Sequence, residues 1–351
     1  MIISEWVDSE NEKNAILDLT RKVFGDVEIA IPSYFDWQYR NNPRGKAIVV
    51  FARDEKNNSI IGTNTTIPTQ LIIDQKTIIS SLGCNVQVDP NYRKQGIFSK
   101  LIVSMPSQAL KKGISCLYAV PNDKSFNAFI KQGYVEIIQL PLLIRPLKLS
   151  KYFDGWMRSL LQPFDNIWKI KKNDNSTVEL LGEDFDSNFS VLSEKASKRV
   201  SVIQKRDKEF LQWRYKNHPT RKYQTFVLKE NSILKGYIIT RHAVVKQKTI
   251  GIIVDFLVDS EIQDPENFKV LVNTALEDFW KNDISLAIAT CRNGLLENAI
   301  LHKAGFFTPP SFLRPEPLHF IVTVFDSNNI DLKKLKVFDN WFFTFGDYDI
   351  F

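Results

Sequence analysis

The stretch Val86-Gln-Val-Asp-Pro-Asn-Tyr-Arg-Lys-Gln-Gly-Ile-Phe-Ser-Lys-Leu101 joins a strand to a helix through a short basic turn. Apolar and β-branched residues predict the strand over 78–88, and apolar side chains at helical spacing predict the helix over 98–111. The turn residues 93–96 read Arg-Lys-Gln-Gly. Because the first N–H groups of a helix have no intrahelical partner and carry partial positive charge, this turn predicts a site for a pyrophosphate.

Elements on both sides of this stretch continue an α/β pattern. Residues 12–23 have apolar side chains at helical spacing, and the Asp8-Ser9 region is placed to cap that helix. Further strands are predicted over 47–53, 59–67, 70–73 and 116–120, and a helix over 125–131. Strands followed by helix, strand and helix indicate a mixed sheet with a binding site at its opened edge.

The chain contains an internal repeat. Trp37-Gln-Tyr-Arg-Asn-Asn-Pro43 recurs as Trp213-Arg-Tyr-Lys-Asn-His-Pro219, and three further short matches follow in the same order at offsets of 170–174 residues. Two copies of one domain explain this pattern most simply. Because the Trp element occurs in both copies, we interpret it as helix packing and a turn rather than as a substrate contact.

The basic turn occurs in the first copy alone. The corresponding segment of the second copy, 260–267, reads Ser-Glu-Ile-Gln-Asp-Pro-Glu-Asn, with three carboxylates and no glycine. Carboxylates at that place repel a phosphate. We therefore expect the first copy to bind a pyrophosphate and the second copy not to.

The stretch 86–101 resembles motif A of the GNAT superfamily of acyl-CoA-dependent N-acyltransferases. The family pattern Arg/Gln-x-x-Gly-x-Gly/Ala is met at Arg93 and Gly96, whereas Phe98 stands where the family prefers a small residue. A second family signature, an Asn followed by a helix and a Gly-aromatic pair, matches the segment from Asn122 to Tyr134. The resemblance implies an α/β fold with mixed sheets and two tandem GNAT-like domains, the second of them degenerate.

The resemblance also implies how a cofactor is bound. Acetyl-CoA would be the cosubstrate, its pantetheine arm lying along a strand that splays from its neighbour over 116–120. The implied cofactor-binding residues are Val86, Gln87, Val88, Arg93, Lys94, Gln95, Gly96, Ile97, Phe98 and Asn122. An amine acceptor would attack the thioester directly, while an N–H near Val86 stabilises the developing oxyanion.

The acid and base common in this family are absent from their usual places. Phe129 stands where many members have a tyrosine that protonates the leaving thiolate, and residues 78–88 include no carboxylate. Tyr134 is a replacement candidate, although an aromatic residue after Gly more often belongs to a core. Asp347 and Asp349 in the C-terminal segment are candidate proton acceptors, and a polar strand end in the second domain is the alternative reading.

The repeat predicts how the chain is divided. We expect a GNAT domain over 1–146, an amphipathic connector over 147–174, a degenerate GNAT-like domain over 175–327 and an aromatic tail over 328–351 that packs on the body. Apolar residues of the connector recur every three or four positions, which predicts a helix interrupted at Pro163. Packing against the domains is its favoured role, and contact with a membrane surface is the alternative.

Composition excludes several other classes. The 351 residues are 44% hydrophobic and carry a net charge of +6 without a polybasic block, which disfavours nucleic acid as a partner. Three cysteines without CxxC spacing and four histidines without ligand spacing predict no disulfide framework and no metal site. The sequence begins without a cationic signal region and has no apolar run of roughly 20 residues, so we expect a cytoplasmic protein.

Three functions remain open at this stage. The first is acetyl transfer to the amino group of a small polar acceptor. An amino sugar, free or nucleotide-linked, is the first choice, because the Trp-rich Gly-Asp-x-Asp ending resembles tandem GNAT proteins of bacterial polysaccharide clusters. The second is Fem-type aminoacyl transfer, against which the basic turn argues. The third is a non-catalytic acyl-CoA-binding module.

Overall fold

A computed structural model describes residues 1–152, 155–168, 178–245, 248–259, 265–310 and 317–348. The chain divides into two units. Unit 1 comprises Met1–Leu140, Gln212–Arg221 and Glu316–Asn340. Unit 2 comprises Pro141–Leu211, Lys222–Pro315 and Trp341–Phe351.

In chain order, the strands are β1 (Ile2–Glu5), β2 (Ile48–Arg53), β3 (Ile60–Ile73), β4 (Lys76–Val88), β5 (Cys116–Ala119), β6 (Val135–Gln139), β7 (Leu143–Pro146), β8 (Val178–Leu180), β9 (Val202–Gln204), β10 (Gln224–Glu230), β11 (Ile233–Val245), β12 (Lys248–Val258), β13 (Leu286–Ala289), β14 (His319–Val324) and β15 (Trp341–Phe342). The α-helices are α1 (Glu10–Phe24), α2 (Pro32–Phe35), α3 (Ile97–Lys111), α4 (Asp123–Lys131), α5 (Trp156–Leu161), α6 (Ser187–Ser197), α7 (Lys208–Leu211), α8 (Pro265–Lys281), α9 (Leu296–Lys303) and α10 (Leu332–Leu335).

Side-chain caps fix the starts of two helices that the sequence predicts. The Ser9 hydroxyl accepts a hydrogen bond from the Glu12 N–H (3.2 Å), and two glutamates lie in the first turn of α1, where negative charge is favourable. Asn122 caps α4 by accepting from the Ser125 N–H (3.1 Å). The predicted helices over 12–23, 98–111 and 125–131 are confirmed as α1, α3 and α4.

Unit 1 is built on a mixed sheet with the strand order β1-β2-β3-β4-β5-β14-β6. β1 to β4 are antiparallel neighbours, whereas β4 and β5 are parallel. α3 packs a buried face that includes Leu101, Ile102 and Met105 on this sheet. Gly62 of β3 allows the close approach of the helix, because a Cβ there would meet Leu101 Cδ1 at 3.1 Å.

Unit 2 has the same architecture, with the strand order β7-β13-β12-β11-β10-β8. β12 and β13 are parallel, and α8 packs on β10 and β11. A Cβ on Gly236 of β11 would meet Leu271 Cδ1 at 3.1 Å, which reproduces the Gly62–Leu101 contact of unit 1. Two short strands, β9 and β15, pair in parallel within unit 2. The prediction of a mixed α/β fold with two similar domains is confirmed.

Each sheet is completed by a strand from a distant part of the chain. In unit 1, β14 lies between β5 and β6 and pairs antiparallel with both. In unit 2, β7 pairs antiparallel with β13, and Ile144 forms an isolated bridge with Phe307 at its other edge. β7 therefore holds in unit 2 the position that β14 holds in unit 1. The two copies have exchanged their last strands.

The exchange makes the observed units differ from the predicted contiguous domains. The segment 1–146 lacks the strand that completes its sheet, and the segment 175–327 ends with a strand that belongs to unit 1. The predicted tail is divided as well, since residues 328–340 belong to unit 1 and 341–348 to unit 2. Backbone hydrogen bonding decides these boundaries, because a strand belongs to the sheet in which its N–H and C=O groups are paired.

The predicted connector helix also differs from the structure. Its described part consists of a 3-10 turn at Leu149–Tyr152, the six-residue helix α5 and a 3-10 segment at Gln162–Trp168. Gly155 precedes α5 with φ at +62°, a left-handed conformation that separates α5 from the turn before it. Residues 153–154 and 169–177 lie outside the described part of the chain.

One long strand replaces the two predicted over 59–67 and 70–73. β3 runs for 14 residues and includes Pro68. β2 begins opposite Thr66, so Pro68 lies beyond β2 and needs no N–H partner at that edge, and its carbonyl accepts from Asn42 Nδ2 (2.7 Å). The strand therefore continues through the proline.

The repeated Trp element adopts one local structure in both places. Each copy forms a π-helical turn, Asp36–Arg40 after α2 and Gln212–Lys216 after α7. The Trp37 and Trp213 rings stack with centroids 4.7 Å apart, and each Nε1–H donates to the main-chain carbonyl of the other residue at 2.8 and 2.9 Å. Both turns lie in unit 1, so the predicted packing role is confirmed.

Candidate functional site

In unit 1, β5 pairs with only part of β4. Their parallel pairing ends at Gly83 and Ala119, although β4 continues to Val88. Residues 83–86 of β4 are half-buried, whereas the residues on either side of them are buried. β4 therefore has a half-buried stretch just where its pairing with β5 ends. We call the side of β4 that faced β5 the diverged side.

The direction of the backbone groups follows from the pairing of β4 with β3. Asp89 N–H donates to Ile61 of β3 (2.9 Å), and backbone groups alternate in direction along a strand. The N–H and C=O groups of Val86 and Val88 accordingly face away from β3, toward the diverged side. Asn85 adopts a positive φ of 49° within an irregular register, which bends β4 at this point.

The turn after β4 has the geometry of an anion cradle. Lys94 and Gly96 have φ values of +64° and +72°, and Gly96 is the left-handed residue that begins α3. When φ alternates in sign along a turn, successive backbone N–H groups point into one concave surface. Arg93, Lys94, Gln95 and Gly96 are exposed, and among the described residues no side chain caps the first turn of α3.

A second set of contacts holds this turn in place. The buried Asp89 carboxylate accepts from Lys22 Nζ (2.5 Å) and from the Asn91 N–H (2.9 Å). Although burial opposes ionisation, these two donors lower the pKa of Asp89 below its ordinary value. The Tyr92 hydroxyl donates to Asp54 (2.6 Å) in the turn between β2 and β3. The cation Lys22 comes from α1, 67 residues away from Asp89, and local sequence could not have identified it.

The other predicted cofactor residues have different environments. Ile97 belongs to the core, and Phe98 packs edge-on against Phe129 with ring centroids 5.9 Å apart. The Gln87 side chain is buried and donates to Thr20 (2.9 Å), so its main chain alone faces the diverged strands. Asn122 is exposed at the start of α4.

Sequence reasoning missed a polar network at the bend of β4. Asn85 Nδ2 donates to Gln38 Oε1 (2.8 Å) and lies 3.3 Å from the Tyr39 hydroxyl, which in turn contacts Thr65 Oγ1 (3.2 Å). Gln38 and Tyr39 belong to the repeated Trp element, which is the sequence feature that could have identified them. This network fixes the bend of β4 to the π-helical turn.

A histidine is also held against α4. His319 of β14 contacts Glu136 through Nδ1 (2.7 Å) and Asp123 through Nε2 (3.0 Å), and its ring stacks on Phe126 at 3.9 Å. The imidazole is thus held between two carboxylates. The exchanged strand β14 thereby fastens the first turn of α4.

Phe129, at the expected acid position, and the replacement candidate Tyr134 both belong to the core of unit 1. Phe129 and Tyr134 are 5% and 4% exposed and meet edge-on with centroids 5.0 Å apart. Burial raises the pKa of Tyr134, which keeps its hydroxyl protonated. This environment agrees with the core role that the sequence favoured for Tyr134.

Asp347 lies in the interior of unit 2, at 4% exposure. Arg206 Nη2 donates to both of its oxygens (2.9 and 2.8 Å), and Arg206 Nε donates to Asp255 (3.0 Å). Burial raises the pKa of Asp347 from 3.8 to about 6, Arg206 opposes this shift and Asp255 adds to it. This burial contradicts the alternative reading of Asp347 as a solvated strand end, and its role as a proton acceptor stays a prediction. Asp349 lies outside the described residues.

The C-terminal segment 341–348 lies against the diverging strands of unit 2. β12 and β13 stop pairing at Ile252 and Ile288, although β12 continues to Val258. Beyond that point, Phe256 of β12 packs on Phe342 (5.7 Å between centroids), and Asp255 accepts from Thr344 Oγ1 (2.8 Å). After β13, Arg292 Nε donates to the Trp341 carbonyl (3.0 Å). The segment of unit 2 that corresponds to the basic turn of unit 1, 260–264, lies outside the described residues.

The described residues include neither a cluster of metal ligands nor a membrane-spanning helix. Within those residues, no three His, Cys, Asp or Glu side chains are arranged to hold a metal ion. The helices that the structure describes include none with the length and apolar character needed to cross a bilayer.

Known proteins share both the sequence pattern and the fold. Residues 8–134 match the family model for an acetyltransferase (GNAT) domain, whereas no curated protein matches the chain. A GCN5-related N-acetyltransferase from Anabaena variabilis has a TM-score of 0.64 at 12% identity, covering 92% of this chain and 73% of that chain. N-myristoyltransferase from Saccharomyces cerevisiae with bound myristoyl-CoA has a TM-score of 0.61 at 16% identity, covering 92% and 82%.

A third solved structure, from Enterococcus faecalis and described as a probable N-acyltransferase, has a TM-score of 0.63 at 12% identity and covers 93% of this chain and 73% of its own. At these identities the likeness establishes the fold. Residues 8–134 are therefore similar in sequence to GNAT domains, and a GNAT-like fold extends over most of the chain.

Proposed function

We propose that this protein is an acyl-CoA-dependent N-acyltransferase whose unit 1 binds the acyl-CoA. The observation that carries the proposal is the continuity between two features, the exposed backbone of β4 beside the diverged β5 and the basic turn that follows it. A pantetheine amide chain can pair with the first feature and a pyrophosphate with the second. Acyl-CoA is a ligand that presents both groups in this order.

The proposed chemistry relies on positioning. The carbonyl and N–H groups of Val86 and Val88 hold the pantetheine arm, and Arg93, Lys94 and the N–H groups of residues 94–98 hold the pyrophosphate. An N–H at Val86 stabilises the oxyanion that forms when a neutral amine attacks the thioester carbonyl. The C–S bond then breaks, the amide remains on the acceptor, and ordered water carries the amine proton toward the CoA thiolate.

The finer assignments are also proposals. We infer acetyl-CoA as the cosubstrate, supported by the acetyltransferase description of the matched domain model. We infer the amino group of a small polar acceptor, first an amino sugar or nucleotide-linked amino sugar. Support for that acceptor is the likeness of the C-terminal sequence to tandem GNAT proteins of polysaccharide clusters. A panel of acyl-CoAs and amines, with released thiol as the readout, tests both assignments.

Titration calorimetry with acetyl-CoA tests the binding site directly. Arg93→Ala combined with Lys94→Ala removes both exposed cations, and we expect the affinity to fall by at least about tenfold, since each charge-assisted hydrogen bond contributes about 1.5–3 kcal/mol. Lys112→Ala just after α3 is the matched control and keeps full affinity. Equal binding by the double variant and the control would contradict the proposed site.

A non-catalytic acyl-CoA-binding module is the second candidate. Two observations favour it, the core position of Phe129 where a tyrosine acid is common and the absence of a carboxylate from β4. In the same thiol-release assay, tight CoA binding with no turnover on amino sugars, other amines or peptides supports the module. Turnover on any of these acceptors excludes it. Fem-type aminoacyl transfer predicts no acetyl-CoA binding in the calorimeter.

A further inference from the structure

The helix α5 of unit 2 has an apolar face directed to solvent. Trp156 and Leu160 are four residues apart, so they lie on one side of the helix, and they are 75% and 59% exposed. Met157, 37% exposed, lies beside them. In surface helices of globular proteins, the side that faces solvent normally carries polar residues. A large aromatic and an aliphatic side chain exposed together mark a surface that meets an apolar partner.

The sequence around α5 concentrates positive charge. Between positions 147 and 172 the chain has five lysines and one arginine against two aspartates, whereas the net charge of all 351 residues is only +6. Lys148 and Lys151 are paired with Asp283. Arg158 is exposed on α5 itself, and Lys169, Lys171 and Lys172 follow in the sequence. The segment 147–172 thus has a net charge of +4 in the sequence, and an apolar helix face within such a segment is complementary to an anionic lipid surface.

We propose that α5 docks this protein on anionic membranes, with Trp156 and Leu160 inserted at the level of the lipid headgroups. Arg158 extends its aliphatic stem along the lipid boundary and keeps its guanidinium at the phosphate groups, as long basic side chains do at membrane interfaces. Tryptophan is favoured at this depth because its ring is apolar and its N–H needs a polar partner. This contact is peripheral and reversible, and it does not depend on the acyltransferase proposal.

The charge pattern favours a lipid surface over a second copy of this chain. Two copies meeting through α5 would bring two cationic segments together, and this repulsion would oppose the apolar contact. An anionic bilayer supplies the opposite charge and an apolar layer together. A self-associated protein is therefore the competing outcome of the test.

Vesicle flotation with the full-length chain tests the proposal. The probes are phosphatidylglycerol-containing vesicles and pure phosphatidylcholine vesicles. We expect flotation with the anionic vesicles, a loss of binding at high salt, and a blue-shifted Trp fluorescence that the Trp156→Phe variant loses. Replacing both apolar residues, Trp156→Ser with Leu160→Ser, lowers the bound fraction by about tenfold or more.

The matched control is Val244→Ser, because Val244 of β11 is also 75% exposed and lies outside the connector. It floats like the unmodified chain. Both residue sets are on the surface, so circular dichroism and unchanged thermal unfolding show that neither variant has lost its fold. Failure to float with either vesicle overturns the proposal, and so does equal flotation by the double variant and the control. Light scattering that shows a dimer dispersed by the double substitution, without vesicle binding, also overturns it.

Discussion

The two units place different material beside the same pair of diverging strands. In unit 1, residues 83–86 of β4 are half-buried and lead into an exposed cationic turn. In unit 2, every residue of β12 from Ile250 to Val258 is buried, and the chain's own segment 341–348 supplies contacts on that side. The same strand geometry is therefore partly open to solvent in one unit and interior in the other, depending on what covers it.

The polar residue at the bend of β4 in unit 1 also differs from the polar residue at the register shift of β12 in unit 2. Asn85, at the bend of β4, is neutral and bonds to the neighbouring Gln38. Asp255, beside the register shift of β12, is charged, fully buried and paired with Arg206. A buried carboxylate needs a cation, and Arg206 serves both Asp255 and Asp347. We infer that unit 2 has used its strand carboxylate to fasten the C-terminal segment.

The largest expected effect comes from breaking the strand exchange. A fragment of residues 1–146 includes β5 and β6 but lacks β14, so both strands keep unpaired edges. We expect this fragment to lack cooperative unfolding and to be digested rapidly by proteases. The same fragment with residues 317–327 appended regains a protease-resistant core. Equal stability of the two fragments would contradict the assigned role of β14.

A smaller effect is expected at the ion pair that fastens the C-terminal segment. Asp347→Ala leaves the buried Arg206 paired with Asp255. However, it removes an acceptor of Arg206 Nη2 and of the Thr344 N–H, and an unsatisfied buried donor costs about 1–3 kcal/mol. Urea unfolding measures this loss. Glu209→Ala, an exposed carboxylate of the same unit, is the control and stays within about 0.5 kcal/mol of the unmodified protein. A loss below 1 kcal/mol for Asp347→Ala would show that the pair is not structural.

The pH dependence of unit 2 provides a sharper test of the same contact. Burial raises the pKa of Asp347 to about 6, so the folded protein keeps this proton up to a higher pH than the unfolded chain does. The stabilisation from this group is complete at low pH and is lost as the pH rises through 6. Asp347→Asn cannot ionise. We therefore expect the unmodified protein to lose stability relative to Asp347→Asn between about pH 4 and about pH 7, in urea unfolding at matched ionic strength. A constant difference across that range would refute the shifted pKa.

The smallest expected effect separates strain from ligand binding in unit 1. Gly96 and Gly113, at the two ends of α3, have φ values of +72° and +75°, and a Cβ would meet no atom within 4 Å at either position. Gly96→Ala and Gly113→Ala should each cost about 1 kcal/mol of stability through the same left-handed strain. Only Gly96→Ala should also weaken acetyl-CoA binding, measured by calorimetry. Equal affinities of the two variants would remove Gly96 from the proposed site.

Local patterns were sufficient for the parts of the fold that depend on neighbours in sequence. The Ser9 cap, the α3 helix and the left-handed glycine before it all arise within a few residues, and the structure has each of them. The repeat likewise predicted a second domain of the same architecture. Lys22, which binds Asp89 beside the basic turn from 67 residues away, has no local pattern that links it to Asp89.

The C-terminal segment shows where a sequence pattern misleads. Two aspartates in an aromatic ending suggest either solvated or catalytic carboxylates. The structure buries Asp347 beside Arg206, because residues 141 positions apart come together in unit 2. Whether a carboxylate is buried or ion-paired depends on the residues that pack around it. The sequence pattern shows only that a carboxylate is present.

The amino-acid sequence by itself determined the helices α1, α3 and α4, the duplication and the cationic turn before α3. These features depend on side-chain periodicity, on capping and on the backbone freedom of glycine, all of which operate over short distances. Tertiary structure alone decided which copy receives each final strand, what covers the diverging strands of unit 2, and where Asp347 lies. Those outcomes depend on hydrogen-bonding edges and buried charges that meet their partners only after distant segments have packed.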